Sequence, residues 1–250
     1  MLALDLVSGF HDAIDLFDSL ETLHQALAAI CEQAGFAYFA VTHHGDVSEA
    51  GSGLIRLHNY PADFAAYHER HRLGARDPVH RVSQLRGSGF SWSALPHLLP
   101  HFNADDAQVL SRAHSAGIGE GYTKPFHVPG ERSGSCSFAV RPGAAFPRHR
   151  IPLAEALGSF VFEAARNLNA RAHPPKPQHA WLTEREREIV VWLGHGKALK
   201  EIARILRISP ETVNDHLKHA RARFGVRKSS LLVVCALLSG SITYSELLTG

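Results

Sequence analysis

The side chains best suited to reading another molecule cluster between Leu199 and Gly225, in the stretch LKEIARILRISPETVNDHLKHARARFG. Once Val213 and Leu217, spaced i and i+4, are turned toward a core, seven positions face outward: Thr212, Asn214, Asp215, Lys218, His219, Arg221 and Arg223. Arg and Lys suit phosphates and guanine edges and Asn suits adenine, so the set fits a DNA surface. It fits equally an amphipathic helix pair with a solvated charged face. A second group lies upstream, where Tyr60, Asp77 and Trp92 bring polar and aromatic side chains near one sheet edge. Asp77 is also an N-cap candidate for the helix that Pro78 opens, Trp92 a core candidate and Tyr60 a flank of the Pro61 turn.

Other reactive types carry less. The chain has 18 His residues, and His43-His44, His68-x-x-His71 and His97-x-x-x-His101 include helix-compatible spacings. None joins a Cys or carboxylate set of recognised metal pattern, so scattered surface histidine is the expectation. Ser135-Cys136-Ser137 lies near a glycine but lacks the Gly-x-Ser-x-Gly nucleophile elbow, and reads as small side chains lining a pocket from a buried strand.

The elements that must position these groups follow from periodicity and turn chemistry. Helix is expected from about Ser8 to Ala34, with Ser19 able to cap a second segment and Gly35 ending it. Phe36–Thr42 reads as a strand, followed by a Gly45-Asp46 turn, with Gly53–His58 as its antiparallel neighbour. Helices open at Pro61, to about Leu73, and at Asp77-Pro78, through Leu85. Gly89-Phe90-Ser91-Trp92 is a short extended piece, and Asn103 caps a helix closed by Gly117. Gly121–Val128 and Ser135–Val140 alternate like strands, and Ile151–Ala172 returns to helix. Helices flanking about five antiparallel strands make an α+β layer architecture. Near the C-terminus, Lys200, Glu201 and Arg204 alternate with Ile202, Ala203, Ile205 and Leu206, and Ser209-Pro210-Glu211 restarts a helix, which is the helix-turn-helix plan. A helix from about Lys228 to Leu238 carries the apolar residues Leu231, Leu232, Val234, Cys235 and Leu238.

The Pro-rich run His173–His179 is the expected linker, stiff rather than floppy, which sets domains at residues 1–172 and 180–250. Charge changes across it: up to residue 177 there are 15 basic and 17 acidic residues, a net of −2, and afterwards 11 and 7, a net of +4. A locally basic C-terminal unit suits a phosphate backbone. Cys31, Cys136 and Cys235 are three, far apart and without a CxxC, which fits a reducing compartment rather than a disulfide framework or zinc ribbon. The N-terminus lacks a basic n-region and cleavage site, and the longest uncharged apolar stretch, Leu231–Leu238, is too short to span a bilayer. The expectation is a soluble, cytoplasmic protein with no membrane partner.

The segment from Leu182 to Ser230 resembles the four-helix DNA-binding domain of LuxR-type transcription factors. The resemblance rests on Leu182, Thr183, Arg185 and Glu186, on Trp192, Gly196 and Lys197, and on Glu-Ile-Ala at 201–203. Thr-Val-x-x-His-Leu at 212–217 and the Gly-Val after the second helix complete it. The N-terminal region resembles the autoinducer-binding domain of quorum-sensing LuxR-type regulators, through Tyr60-Pro61, Asp77-Pro78-Val79, Trp92, Gly121 and Ser133–Ser137. The resemblance implies an α-β-α sandwich that holds an N-acyl-homoserine lactone, with no cofactor or metal. Asp77 would accept from the ligand amide, Tyr60 would donate to the acyl carbonyl, Trp92 would pack on the lactone ring, and Ser137 would add a polar contact. Two positions depart from the pattern: Phe64 stands where the family usually has a Trp that donates to the lactone carbonyl, and His68 where it usually has a Tyr. The implied partners are double-stranded promoter DNA, a second copy of the chain and RNA polymerase. The exposed part of the Leu231–Leu238 stripe would meet its twin.

Three rivals remain. A response regulator would share the DNA-binding domain, but the N-terminus lacks alternating βα units and an acidic pair at a first strand end. A lactone hydrolase fused to DNA binding lacks a nucleophile, base or metal set, so no enzyme activity is expected. A regulator that has lost or changed its signal is suggested by Phe64 and His68.

Overall fold

The computed structural model describes residues 2–45, 53–74, 76–129, 131–173 and 181–248. Asp46 of the expected turn and the expected linker beyond His173 lie outside them. The chain divides into two compact units, the first carrying all five strands.

In the first unit α1 (Leu2–Ala13) leads through a 3-10 turn to α2 (Leu20–Ala34). Ser19 accepts from the Thr22 N–H at 3.2 Å while Thr22 reciprocates on the Ser19 N–H, and Gly35 closes the helix at φ 81°, in the left-handed region. Then come β1 (Tyr38–His43), β2 (Arg56–His58), α3 (Ala62–Arg70) and α4 (Pro78–Leu85). After β3 (Phe90–Ser91) the chain makes a 3-10 turn over Trp92–Ala94 and the short α5 (Leu95–Leu98), neither evident from the sequence pattern. The unit finishes with α6 (Ala104–Ser115), β4 (Gly121–Phe126), β5 (Gly134–Ala139) and α7 (Ile151–Ala172).

The sheet order is β2-β1-β5-β4-β3, antiparallel throughout. β5 is central, and all six of its residues are buried. Strand alternation sorts its two faces. Cys136 and Phe138 face α7, where Gly134 lets the Phe162 ring lie on the backbone, since a Cβ there would sit 2.5 Å from that ring. With α2 this layer buries Leu23, Leu27, Phe39, Leu157 and Val161. Ser135 and Ser137 face the opposite side, toward α4, with Ala40 and Thr42 of β1 and Thr123 of β4 beside them. Helix α4 is fixed there by Arg81, whose Nη1 donates to Asp106 Oδ1 of α6 at 2.6 Å. Asp106 also accepts from Asn103 N–H through Oδ2, closing the α6 capping box. Helices on both faces of one antiparallel sheet are the expected sandwich.

The second unit is all-helical: α8 (Glu184–Gly194), α9 (Leu199–Leu206), α10 (Pro210–Arg223), α11 (Ser229–Leu238) and a fifth, short α12 (Tyr244–Leu248) beyond the expected four. Thr183 and Glu186 form a capping box on α8, and Arg185 Nη2 donates to the Leu206 carbonyl at 2.7 Å, tying α8 to the end of α9. Arg207 ends α9 at φ 53°, and Ser209 accepts from the Thr212 N–H at 3.1 Å to start α10. The core is Ile189, Val190, Ile202, Val213, Leu217, Ala220, Leu232 and Ala236. No described helix is long and apolar enough to cross a membrane.

Candidate functional site

A cavity of about 280 Å³ lies between the sheet and helices α3, α4 and α6. Its lining includes every residue expected at the ligand site: Tyr60, Phe64, His68, Asp77, Trp92 and Ser137.

Asp77 is buried at the N-terminus of α4. Its Oδ1 accepts from the Val79 N–H at 2.7 Å, so the capping role is real, while Oδ2 faces His68 Nε2 at 3.2 Å. A carboxylate has about four lone-pair sites, so both contacts leave room for a ligand N–H. Burial alone would raise the Asp77 carboxyl. The His68 hydrogen bond, the His80 and His68 charges and the Val79 N–H outweigh it and hold the group below its ordinary value. Tyr60 is pushed the other way, its phenol held protonated by burial and by the Asp77 charge. A protonated phenol beside a charged carboxylate supplies one donor and one acceptor, the pair a secondary amide needs.

Trp92 comes from the unforeseen 3-10 turn. Its Nε1 donates to Thr123 Oγ1 at 2.8 Å, and Thr123 Oγ1 shares a hydrogen bond with Ser137 Oγ at 2.8 Å. The ring rests on Gly121, where a Cβ would lie 2.5 Å from it. Trp92 is therefore both core and cavity wall. Phe64 presents a ring without a donor, 5.8 Å from Tyr60.

Histidines such as His71, His97, His101 and His114 lie on the surface as expected, but five others do not. His43, His58, His68 and His80 line the cavity, and His44 stands behind, stacked on His80 at 4.1 Å and bonded through Nε2 to Ser135 Oγ at 2.9 Å. Helical spacing could not reveal this, because strands β1 and β2 and helices α3 and α4 each contribute. Burial holds the His44 and His80 imidazoles below their ordinary value, His44 furthest. Among the described residues no group of three or more His, Cys, Asp or Glu is arranged to hold a metal. The three cysteines are free thiols. Thr42, Arg56, His58 and His80 are cavity residues that the sequence reading left out. Alternation along β1 and β2 was the available signal.

On α10 the seven expected outward residues separate. Thr212, Asn214, Asp215, Lys218 and His219 are exposed. Arg221 instead donates to Ser229 Oγ at 3.2 Å, and Arg223 Nε lies 3.4 Å from Glu186, a buried carboxylate of α8. Arg221 is half-buried on the α11 side, whereas Arg223 stays exposed while reaching Glu186 of α8.

Comparison with known proteins bears on both units. The family described as autoinducer binding domain matches residues 19–165, and bacterial regulatory proteins, luxR family, matches residues 180–236. The chain is 24% identical to the transcriptional activator protein BjaR1 of Bradyrhizobium diazoefficiens over 94% of this chain and 93% of that one. It is 28% identical to the transcriptional activator protein SolR of Ralstonia solanacearum, over 93% and 98% respectively. The crystal structure of Escherichia coli SdiA shares the fold at TM-score 0.69 and 22% identity, covering 96% of this chain and 98% of that one. Such relatives are transcriptional regulators and not enzymes. A unit whose cavity sets a few polar groups among apolar walls, carried ahead of a helix-turn-helix unit, thus has a family: the chain belongs to the LuxR-type regulators, an autoinducer-binding domain joined to a LuxR-type DNA-binding domain.

Proposed function

We propose that the protein is a quorum-sensing receptor for an N-acyl-homoserine lactone or a related small signal bearing an amide, and that it binds promoter DNA as a homodimer. The observation that carries this is the pairing of Asp77, ionised and buried, with the protonated Tyr60 phenol in one cavity. The ligand amide N–H donates to Asp77, Tyr60 donates to the acyl carbonyl, Ser137 adds a polar contact, and Trp92 packs on the lactone ring. Groups left unpaired in such a pocket cost about 1–3 kcal/mol each, so the pairing is also selective. Phe64 offers nothing to the lactone carbonyl, which favours a signal outside the straight-chain series. A ligand that binds only the folded unit stabilises it by mass action. Leu231, Val234 and Leu238, exposed on α11, are the surface for a twin. The twin would set two α10 helices on matching half-sites, where RNA polymerase is the further partner.

A second reading, a regulator that takes no lactone, draws on His68, which already occupies Asp77 Oδ2. Native mass spectrometry on protein expressed with and without a mixed lactone panel separates the two. A bound lactone that disappears in Asp77→Ala supports the receptor. A folded dimer that stays empty throughout supports the second reading.

A further inference from the structure

The register across the sheet orders the cavity wall. Thr123, Ser137, Ala40 and His58 lie in one cross-strand row, from β4 through β5 and β1 to β2. Trp92 stands at the β4 end of that row, hydrogen-bonded to Thr123. Neighbouring strands are about 4.8 Å apart, so His58 lies roughly 14 Å from Thr123. On the lactone reading above, on which this inference rests, the ring sits at Trp92 and the amide near Ser137, Asp77 and Tyr60. The cavity then continues two ways, along the apolar wall of Ala65, Val109, Leu110 and Ala113 and across β1 toward β2, and the second way ends in polar side chains.

That end is not built for an alkyl chain. It presents Thr42 and Arg56, which pair across β1 and β2, together with His58 and His80. Arg56 uses Nη2 on the Gly45 carbonyl at 2.6 Å, one of five N–H donors in its guanidinium. His58 Nδ1 is buried without a hydrogen-bond partner among the described residues. Its backbone is fixed, since the His58 carbonyl meets His24 Nε2 at 3.2 Å. Buried polar atoms of this kind are normally answered. A methyl-ended chain would cover Arg56 and His58 without replacing the water it displaced, and a site built to hydrogen-bond a group discriminates strongly against the analogue that lacks it. Glu69, exposed at the rim of the same end, adds an acceptor.

We infer that the signal's acyl group carries a hydrogen-bonding oxygen, hydroxyl or carboxylate, at its far end, and that Arg56 and His58 are the residues that select it. A hydroxyl would accept from Arg56 and donate to His58 or Glu69, whereas a carboxylate would take Arg56 alone and face Glu69 unfavourably.

The test is titration calorimetry on the full chain with three homoserine lactones of equal acyl length, ending in methyl, hydroxymethyl or carboxylate. One oxygenated ligand is expected to bind at least tenfold more tightly than the methyl-ended one, and which of the two does so identifies the group. Arg56→Met with His58→Phe is expected to erase that difference. Equal or tighter binding of the methyl-ended lactone overturns the inference while leaving the receptor reading in place. Binding of none of the three removes the lactone reading and this inference with it. A preference that survives in the double variant overturns the assignment to Arg56 and His58. The comparison among ligands on the unmodified chain stands even if the variant does not fold.

Discussion

Asp77 shows how one side chain serves structure and recognition together. Its Oδ1 caps α4 and its Oδ2 meets His68, so replacement by Ala removes a cap as well as an acceptor. Asp77→Asn is the cleaner probe, because an amide oxygen can still accept from the Val79 N–H. We expect it to fold and to lose about 1.5–3 kcal/mol of lactone affinity, the worth of a hydrogen bond to a charged group. Calorimetry beside a melting curve checks this; unchanged affinity would remove Asp77 from the ligand site. The buried histidines make a separate statement about pH. His44 and His80 have folded-state values below the ordinary 6.5, so beneath that pH the unfolded chain binds more protons than the folded one. Stability is therefore expected to be level above about 6.5 and to fall as pH drops through 6 toward the depressed folded-state values. Asp77 acts only at the acid extreme, its stabilising charge present above the ordinary 3.8 and lost below it. Melting temperatures at pH 7.5 and 5.5 decide the matter, and equal values would contradict the burial of these rings.

Among the elements, α10 separates binding from stability along its own length. Its N-terminal and middle turns expose Asn214, Asp215, Lys218 and His219, while Arg223, in the last turn, answers the buried Glu186. Lys218→Ala should weaken operator binding by about 1–3 kcal/mol if it reads a base, without moving the melting temperature. An equal loss on unrelated DNA would make Lys218 a phosphate contact. Arg223→Ala should instead destabilise the domain by about 1 kcal/mol, because a carboxylate in the core loses its cation. Gel-shift titrations paired with urea denaturation distinguish the two, and a stability loss in Lys218→Ala with none in Arg223→Ala would reverse the assignment. The 3-10 turn over Trp92–Ala94 plays a comparable part in the sensory unit. Gly121 admits the Trp92 ring against β4, so the turn sets the wall where a lactone ring is expected.

For the molecule as a whole, the signal is expected to act through folding. A ligand at one hundred times its Kd adds about 2.7 kcal/mol to the unit that binds it. For a domain of 150–250 residues that is a rise of roughly 5–11 °C, at 2–4 °C per kcal/mol. Scanning calorimetry should show this rise in the transition of the sensory unit, while the helix-turn-helix unit, which holds no ligand, melts as before. A lactone that is bound by mass spectrometry yet moves no transition would separate occupancy from folding.

The sequence by itself determined the two-part plan, because its signals are local. Helical spacing around Val213 and Leu217, the Ser209 cap and the Asp-Pro punctuation of α4 act over three or four residues, and the structure carries each of them. Strands were legible at Phe36–Thr42 from β-branched and aromatic residues and at Ser135–Val140 from alternation, and the structure sets them at Tyr38–His43 and Gly134–Ala139. What only the tertiary structure decided is what strands and helices bring together from far apart. The histidines of β1, β2, α3 and α4 meet at one cavity because the sheet order puts β2 beside β1 and β1 beside β5, over which α4 packs, a long-range pairing that no window of sequence contains. Arg223, outward on a helical wheel and exposed in the structure, also reaches the buried Glu186 because α8 packs there. A periodicity gives each side chain a face; which partner that face meets depends on the packing of elements distant in the chain.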